Sequence, residues 1–234
     1  MTGLLALGTA FVLGFLHAME LDHMVAVTAF VSRRPALLTA LGFGLRWGLG
    51  HSIAVLAAGA VLLATGLRWS PAMQPILEGA VGMALVAVGV WSLRTTRNLH
   101  LHAPPEHGDH AHLHVHRGAG QTHIHPHGPG LGTAHHHPHG ITAVGLLHGL
   151  AGTSAVVALV PVTLLPSAGL GIAYLASFGV GVTLGMILFA AVAAYAMRRA
   201  TARSLVWGRR ITSGAAVVSL VVGVWWVGRA VAGG

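Results

Sequence analysis

The stretch that decides the fold runs from Gly8 to Val31, GTAFVLGFLHAMELDHMVAVTAFV. It is apolar at both ends and carries His17, Glu20, Asp22 and His23 in its middle. At about 1.5 Å of rise per residue such a helix reaches roughly 36 Å, more than the roughly 30 Å of hydrocarbon in a bilayer. No basic segment precedes it, and it is too long for the apolar core of a secretory signal, so it reads as a helix retained in the mature protein.

Five further runs of similar character lie near residues 37–65, 73–93, 141–164, 169–196 and 207–228. Pro35, Pro71 and Pro75 stand where helices begin and Pro166 where one ends, positions at which a missing N–H does least harm. The chain is 54% hydrophobic and only 8% charged, against roughly 25% charged in soluble domains. Lipid is the solvent for such a surface. The absence of cysteine excludes thiolate metal sites and disulfides.

Residues 97–140 are different material, holding fourteen of the eighteen histidines amid Gly and Pro with no apolar periodicity. The division is therefore a first unit at 1–96, a disordered His-rich loop at 97–140 and a second unit at 141–234.

The net charge of +8 comes from thirteen arginines, with no lysine. They sit at the ends of apolar runs, which argues for membrane anchoring and against nucleic acid. With the N-terminus outside, the cytoplasmic side receives ten: Arg33, Arg34, Arg94, Arg97, Arg117, Arg198, Arg199, Arg203, Arg209 and Arg210. Arg68 and Arg229 fall on the other side and Arg46 inside a span. Positive loops resist translocation, so both termini face out and the histidine loop faces the cytoplasm of a bacterial-type inner membrane.

An internal repeat is visible. Gly14-Phe15-Leu16-His17 matches Gly145-Leu146-Leu147-His148. Phe43-Gly44 with Gly50-His51 matches Phe178-Gly179 with Gly185-Met186, and Gly89-Val90-Trp91 matches Gly223-Val224-Trp225. The offsets are 131, 135 and 134 residues, so the register holds across three helices. Three spans per unit is an odd number, which inverts the second copy relative to the first, a recurrent plan of secondary transporters. The fold class is an all-α integral membrane protein of six transmembrane helices in two inverted three-helix repeats.

Ionisable groups within spans are expensive and mark pathways. Besides the first-span cluster there are Arg46, His51 and Ser52 in the second run and His148, Thr153 and Ser154 in the fourth. Imidazole and carboxylate without sulfur suit divalent nickel, cobalt or zinc. At 100° per residue Asp22 lies about 140° and His23 about 240° round from His17. One ion with bonds of roughly 2.0–2.1 Å therefore requires an unwound turn near Met19–Leu21, or a supporting role for one of the three. The ligand set is read as His17, Asp22, His23 and His51; Glu20, Ser52, His148, Thr153 and Ser154 are pathway positions, with Glu20 facing another neighbour. Arg46 reaches the cytoplasmic interface or pairs with Glu20 or Asp22. In the loop, His110, His112, His114, His116, His123, His125, His127, His135, His136, His137 and His139 form a weak, proton-sensitive metal buffer.

His17-Ala-Met-Glu-Leu-Asp22-His23 resembles the His-x4-Asp-His signature of the nickel/cobalt transporter family, and Leu49-Gly50-His51-Ser52 is similar to its second signature. His148-Gly149-Leu150-Ala151-Gly152-Thr153-Ser154 carries a weaker likeness. The resemblance implies nickel(II) or cobalt(II) as cargo, with His17, Asp22 and His23 as the matched essential positions. Larger members have an Asp after the Gly-Met that stands here as Gly185-Met186, and eight spans; this chain has neither. It leans toward the shorter efflux or urease-accessory-type branch.

No Walker-type phosphate loop is present. The reading is a secondary transporter rather than an enzyme, with no organic cofactor, and with proton exchange as the coupling because protons compete for the same ligands. A homo-oligomer is compatible with such a chain. Two other readings are a non-transporting nickel-binding accessory protein and a haem-ligating membrane electron carrier.

Overall fold

The computed structural model describes residues 2–32, 36–66, 72–96, 99–102, 112–115, 139–150 and 158–232. In chain order these form α1 (Thr2–His17), α2 (Leu21–Val31), α3 (Leu37–Thr65), α4 (Met73–Thr96), β1 (Leu99–His102), β2 (His112–Val115), α5 (His139–Leu150), α6 (Val160–Val162), α7 (Ala168–Arg203) and α8 (Leu205–Ala232).

The first run is not one helix. α1 and α2 meet at 56° across Ala18–Glu20. Among the described residues four helices, α3, α4, α7 and α8, are long and apolar enough to cross a membrane, or five spans if the bent pair counts as one. The run expected at 141–164 is represented by α5 and α6, and residues 151–157 between them lie outside the described residues. α7, at 36 residues, reaches about 54 Å, and the turns that overshoot the hydrocarbon carry Arg198, Arg199 and Arg203.

α3 packs along α7 and α4 along α8, while α1 lies against α7 and α5 against α3. Lipid offers no hydrophobic drive to join helices, so close backbone approach and interhelical hydrogen bonds have to hold them. Small residues permit it. A Cβ on Gly44 would stand 2.6 Å from the Met186 carbonyl oxygen, and one on Gly48 would stand 2.7 Å from the Thr183 Cα. The Ser219 hydroxyl donates to the Leu85 carbonyl across α8 and α4 at 2.8 Å.

The outer surface is apolar: Leu4, Leu38, Ile76 and Val231 are all exposed. On α8, Trp207 and Trp225 are exposed. They lie 225 − 207 = 18 residues apart, about 27 Å along a helix. Arg210 stands 5.6 Å over the first ring and Arg229 5.1 Å over the second. Two aromatic–arginine anchors one hydrocarbon thickness apart are what the two interfaces of a bilayer select. This is a multi-pass membrane protein.

Within the His-rich stretch, for which the sequence reading expected no regular structure, β1 and β2 pair antiparallel. Leu99 stands opposite Val115, His100 opposite His114, Leu101 opposite Leu113 and His102 opposite His112. Alternation of apolar residue and histidine has the two-residue period of a strand. The rest of that stretch up to residue 138 lies outside the described residues, as do Arg33, Arg34, Arg68, Arg97 and Arg117.

Candidate metal centre

The bend between α1 and α2 builds the site. α1 closes with tight turns, Met19 N–H to Leu16 O at 2.9 Å and Glu20 N–H to His17 O at 3.0 Å. Glu20 is then extended, φ −67 and ψ 152, and α2 starts afresh with Met24 N–H to Glu20 O at 3.0 Å. No Gly or Pro lies in 18–20. Packing supplies the cause: Gly185 of α7 leaves room for Ala18, its own Cβ position being 2.7 Å from the Ala18 Cβ. The interruption removes the angular obstacle that a straight helix sets between His17 and His23.

His17 from α1, His23 from α2 and His51 from α3 are all buried. Their ring centroids lie 4.8 Å (His17 to His23), 5.1 Å (His17 to His51) and 5.4 Å (His23 to His51) apart. One nitrogen from each falls within 4.8 Å of the others. Donors bonded at roughly 2.0–2.1 Å to a tetrahedral ion sit about 3.4 Å apart, so modest ring rotations close the set. Among the described residues His23 Nε2 and both His51 nitrogens make no hydrogen bond. Buried polar groups are normally satisfied, and three unpartnered imidazole nitrogens in one nest form a donor set waiting for an acceptor of lone pairs or protons.

Carboxylates fix two of these rings. His17 Nδ1 is 2.9 Å from Glu20 Oε1, and His23 Nδ1 is 3.1 Å from Asp22 Oδ1. A carboxylate at Nδ1 holds that nitrogen as the N–H tautomer and leaves the lone pair on Nε2, the usual support behind a metal-bound histidine. Asp22 Oδ2 also lies 3.7 Å from His148 Nε2 of α5, an electrostatic contact rather than a hydrogen bond. Glu20, Asp22 and His23 form a second set whose donor atoms lie within 4.8 Å of one another. His23 belongs to both.

The expected ligands are thus distributed: three histidines converge, while Asp22 stands behind His23 and groups with Glu20. The Ser52 hydroxyl is placed elsewhere, between α3 and α7, 2.7 Å from Gly48 O and 2.9 Å from Gly179 O. Arg46 is exposed on α3 and makes no ion pair with Glu20 or Asp22 among the described residues. The interface half of that expectation is the one its exposure fits. Thr153 and Ser154 lie outside the described residues, as do His110, His116, His123, His125, His127, His135, His136 and His137; His112 and His114 are on β2, and His139 opens α5.

The sequence reading passed over three residues. Trp47, fully buried, lies one turn before His51 with its ring 5.2 Å from His148; the i, i+4 spacing was the available signal. Phe178 closes the other side, 5.8 Å from His17. Glu78 of α4 is buried and accepts from Gln74 Nε2 at 2.8 Å, outside both donor sets.

Apolar helices around a buried nest of imidazoles and carboxylates define a multi-pass membrane protein with a polar centre. Over 184 residues the chain is 32% identical to the urease accessory protein UreH of Bacillus sp. (strain TB-90), covering 76% of this chain and 72% of that one. No protein-family model and no solved structure matches. The chain belongs to the nickel/cobalt transporter family, in its UreH-type branch.

Proposed function

We propose that the protein is a secondary transporter that carries nickel(II) or cobalt(II) across the cytoplasmic membrane. The observation that carries this reading is the convergence of His17, His23 and His51 with His23 Nε2 and both His51 nitrogens buried and, among the described residues, unpartnered. Nitrogen donors with carboxylate support favour borderline ions over magnesium or calcium. The relative named above is a urease accessory protein, and nickel is the cargo consistent with that name.

Contacts related by the repeat offset support two inverted units. Gly44 meets Ile187 and Gly179 meets Ser52, where 44 + 135 = 179 and 52 + 135 = 187. Gly48 meets Thr183, its own counterpart at that offset, 48 + 135 = 183. In the third helices Ser219 bonds Leu85, where 85 + 134 = 219. Residues that contact their own counterparts lie on a two-fold axis, and for an inverted repeat that axis is in the membrane plane. His51, three residues beyond Gly48, is then near the midplane. The ion sheds water, is held by the three imidazoles, and leaves as the two units rock, with protons returning on the vacated ligands.

Both termini face out and residues 97–140 face the cytoplasm in this scheme, where the loop histidines, joined by His100 and His102 of the ribbon, buffer metal. The accessory name of the relative favours a second reading, a protein that only presents nickel through this loop. A haem carrier is disfavoured, because imidazoles 4.8–5.4 Å apart leave no room for a macrocycle between them.

Sealed vesicles holding the purified protein decide the matter. Nickel or cobalt flux is expected, abolished by His17→Ala and retained after deletion of residues 98–139. Flux indifferent to His17→Ala rejects the site. Loss of all function with the loop supports the presenting role instead.

A further inference from the structure

Resting on the transport reading, we propose that Glu20, Asp22 and His23 form a separate loading station. A divalent transition metal is captured there before being handed inward to the three-histidine set through their shared member, His23.

The two sets differ in exposure and in chemistry. The Glu20 side chain keeps 34% of its surface open, against 8% for Asp22 and 1% for His23, and His51 keeps none. A carboxylate open to lipid in the middle of a span is too costly to persist, so the part of Glu20 left uncovered marks a place where water reaches the bend. The outer station offers two anionic oxygens and one nitrogen; the inner offers three neutral nitrogens. A hydrated dication entering low dielectric first needs its charge balanced, which two carboxylates do. Only then does exchange of oxygen for nitrogen favour nickel or cobalt over magnesium. Charge is selected at the outer station and ligand preference at the inner one. Because His23 is common to both, the ion moves without passing through an unliganded state, and no bond other than metal–ligand bonds is made or broken.

The competing role for Glu20 is to do nothing but orient His17, whose Nδ1 it contacts at 2.9 Å. Glu20→Gln separates the two, since a glutamine carbonyl still accepts from Nδ1–H while carrying no charge. Cobalt(II) added to the full-length protein in detergent, followed by stopped-flow through its visible absorption, reads loading directly. Initial cobalt flux in vesicles reads it as KM against kcat. In Glu20→Gln the cobalt on-rate is expected to fall, and KM to rise, about tenfold through loss of one charge facing the ion. The spectrum at saturation stays that of the unaltered protein. His51→Ala is expected to end on a different, oxygen-richer spectrum.

An unchanged on-rate in Glu20→Gln overturns the station. So does an altered final spectrum in Glu20→Gln, which makes Glu20 part of a single centre. Absent flux in the unaltered protein together with slowed cobalt loading in Glu20→Gln rejects transport and keeps the station.

Discussion

Replacing His51 with leucine gives opposite signs for the two roles a buried histidine can have. His51 is fully buried and neither ring nitrogen has a hydrogen-bond partner among the described residues. A neutral imidazole has one donor and one acceptor, and each buried polar group left unsatisfied costs about 1–3 kcal/mol. Leucine has similar bulk and no polar atom. His51→Leu is therefore expected to stabilise the metal-free protein by about 2 kcal/mol or more on that scale. Metal reverses the order. Nickel at a hundred times its Kd stabilises the unaltered protein by about 2.7 kcal/mol, and the variant, short of one ligand, should lose most of this. Thermal unfolding in detergent, followed by tryptophan fluorescence with and without nickel, measures both quantities. A variant that is less stable without nickel yet keeps the full nickel shift would show His51 to be a packing residue and would refute the reasoning.

Two further outcomes follow from packing and topology. Gly44→Val would push a side chain into the Met186 carbonyl and Ile187 Cα, 2.6 and 2.9 Å from the Cβ position, and is expected to cost about 1–3 kcal/mol as overpacking. Gly42→Ala, whose nearest neighbour is Arg46 Nη1 at 4.0 Å, should instead be neutral or gain up to about 1 kcal/mol of helix propensity; the apparent melting temperatures of the two variants in detergent check the contrast. The chain lacks cysteine, so a single Ala103→Cys variant reports orientation cleanly: an impermeant maleimide should label it in inside-out vesicles and not in right-side-out ones.

Much of the fold was legible because bilayer thickness sets helix length. α3 begins and ends where its apolar run does, and α4 agrees within three residues at its C-terminal end. The boundaries that missed are informative. α1 starts at Thr2 rather than Gly8 and α7 continues to Arg203 rather than 196, since hydropathy marks where lipid ends and not where backbone hydrogen bonding does. The β1–β2 ribbon is masked by the Gly, Pro and His composition of the stretch around it, although His110, His112, His114 and His116 alternate with the period of a strand.

Within the site, the sequence by itself determined the chemistry: imidazoles and carboxylates inside an apolar run, with no sulfur, in a chain bound to lie in lipid. Which donors meet was decided only by tertiary structure. His17 and His51 are separated by 34 residues (51 − 17), and no helical periodicity relates two different helices. The bend at Ala18–Glu20 has no Gly or Pro to announce it. It exists because α7 accepts Ala18 at Gly185 and because Glu20 and Asp22 bond the imidazoles on either side of it. The approach of Gly185 forms only when distant segments pack, the two carboxylate contacts are local, and together they bring His17 and His23, about 120° apart on a straight helix, toward one another.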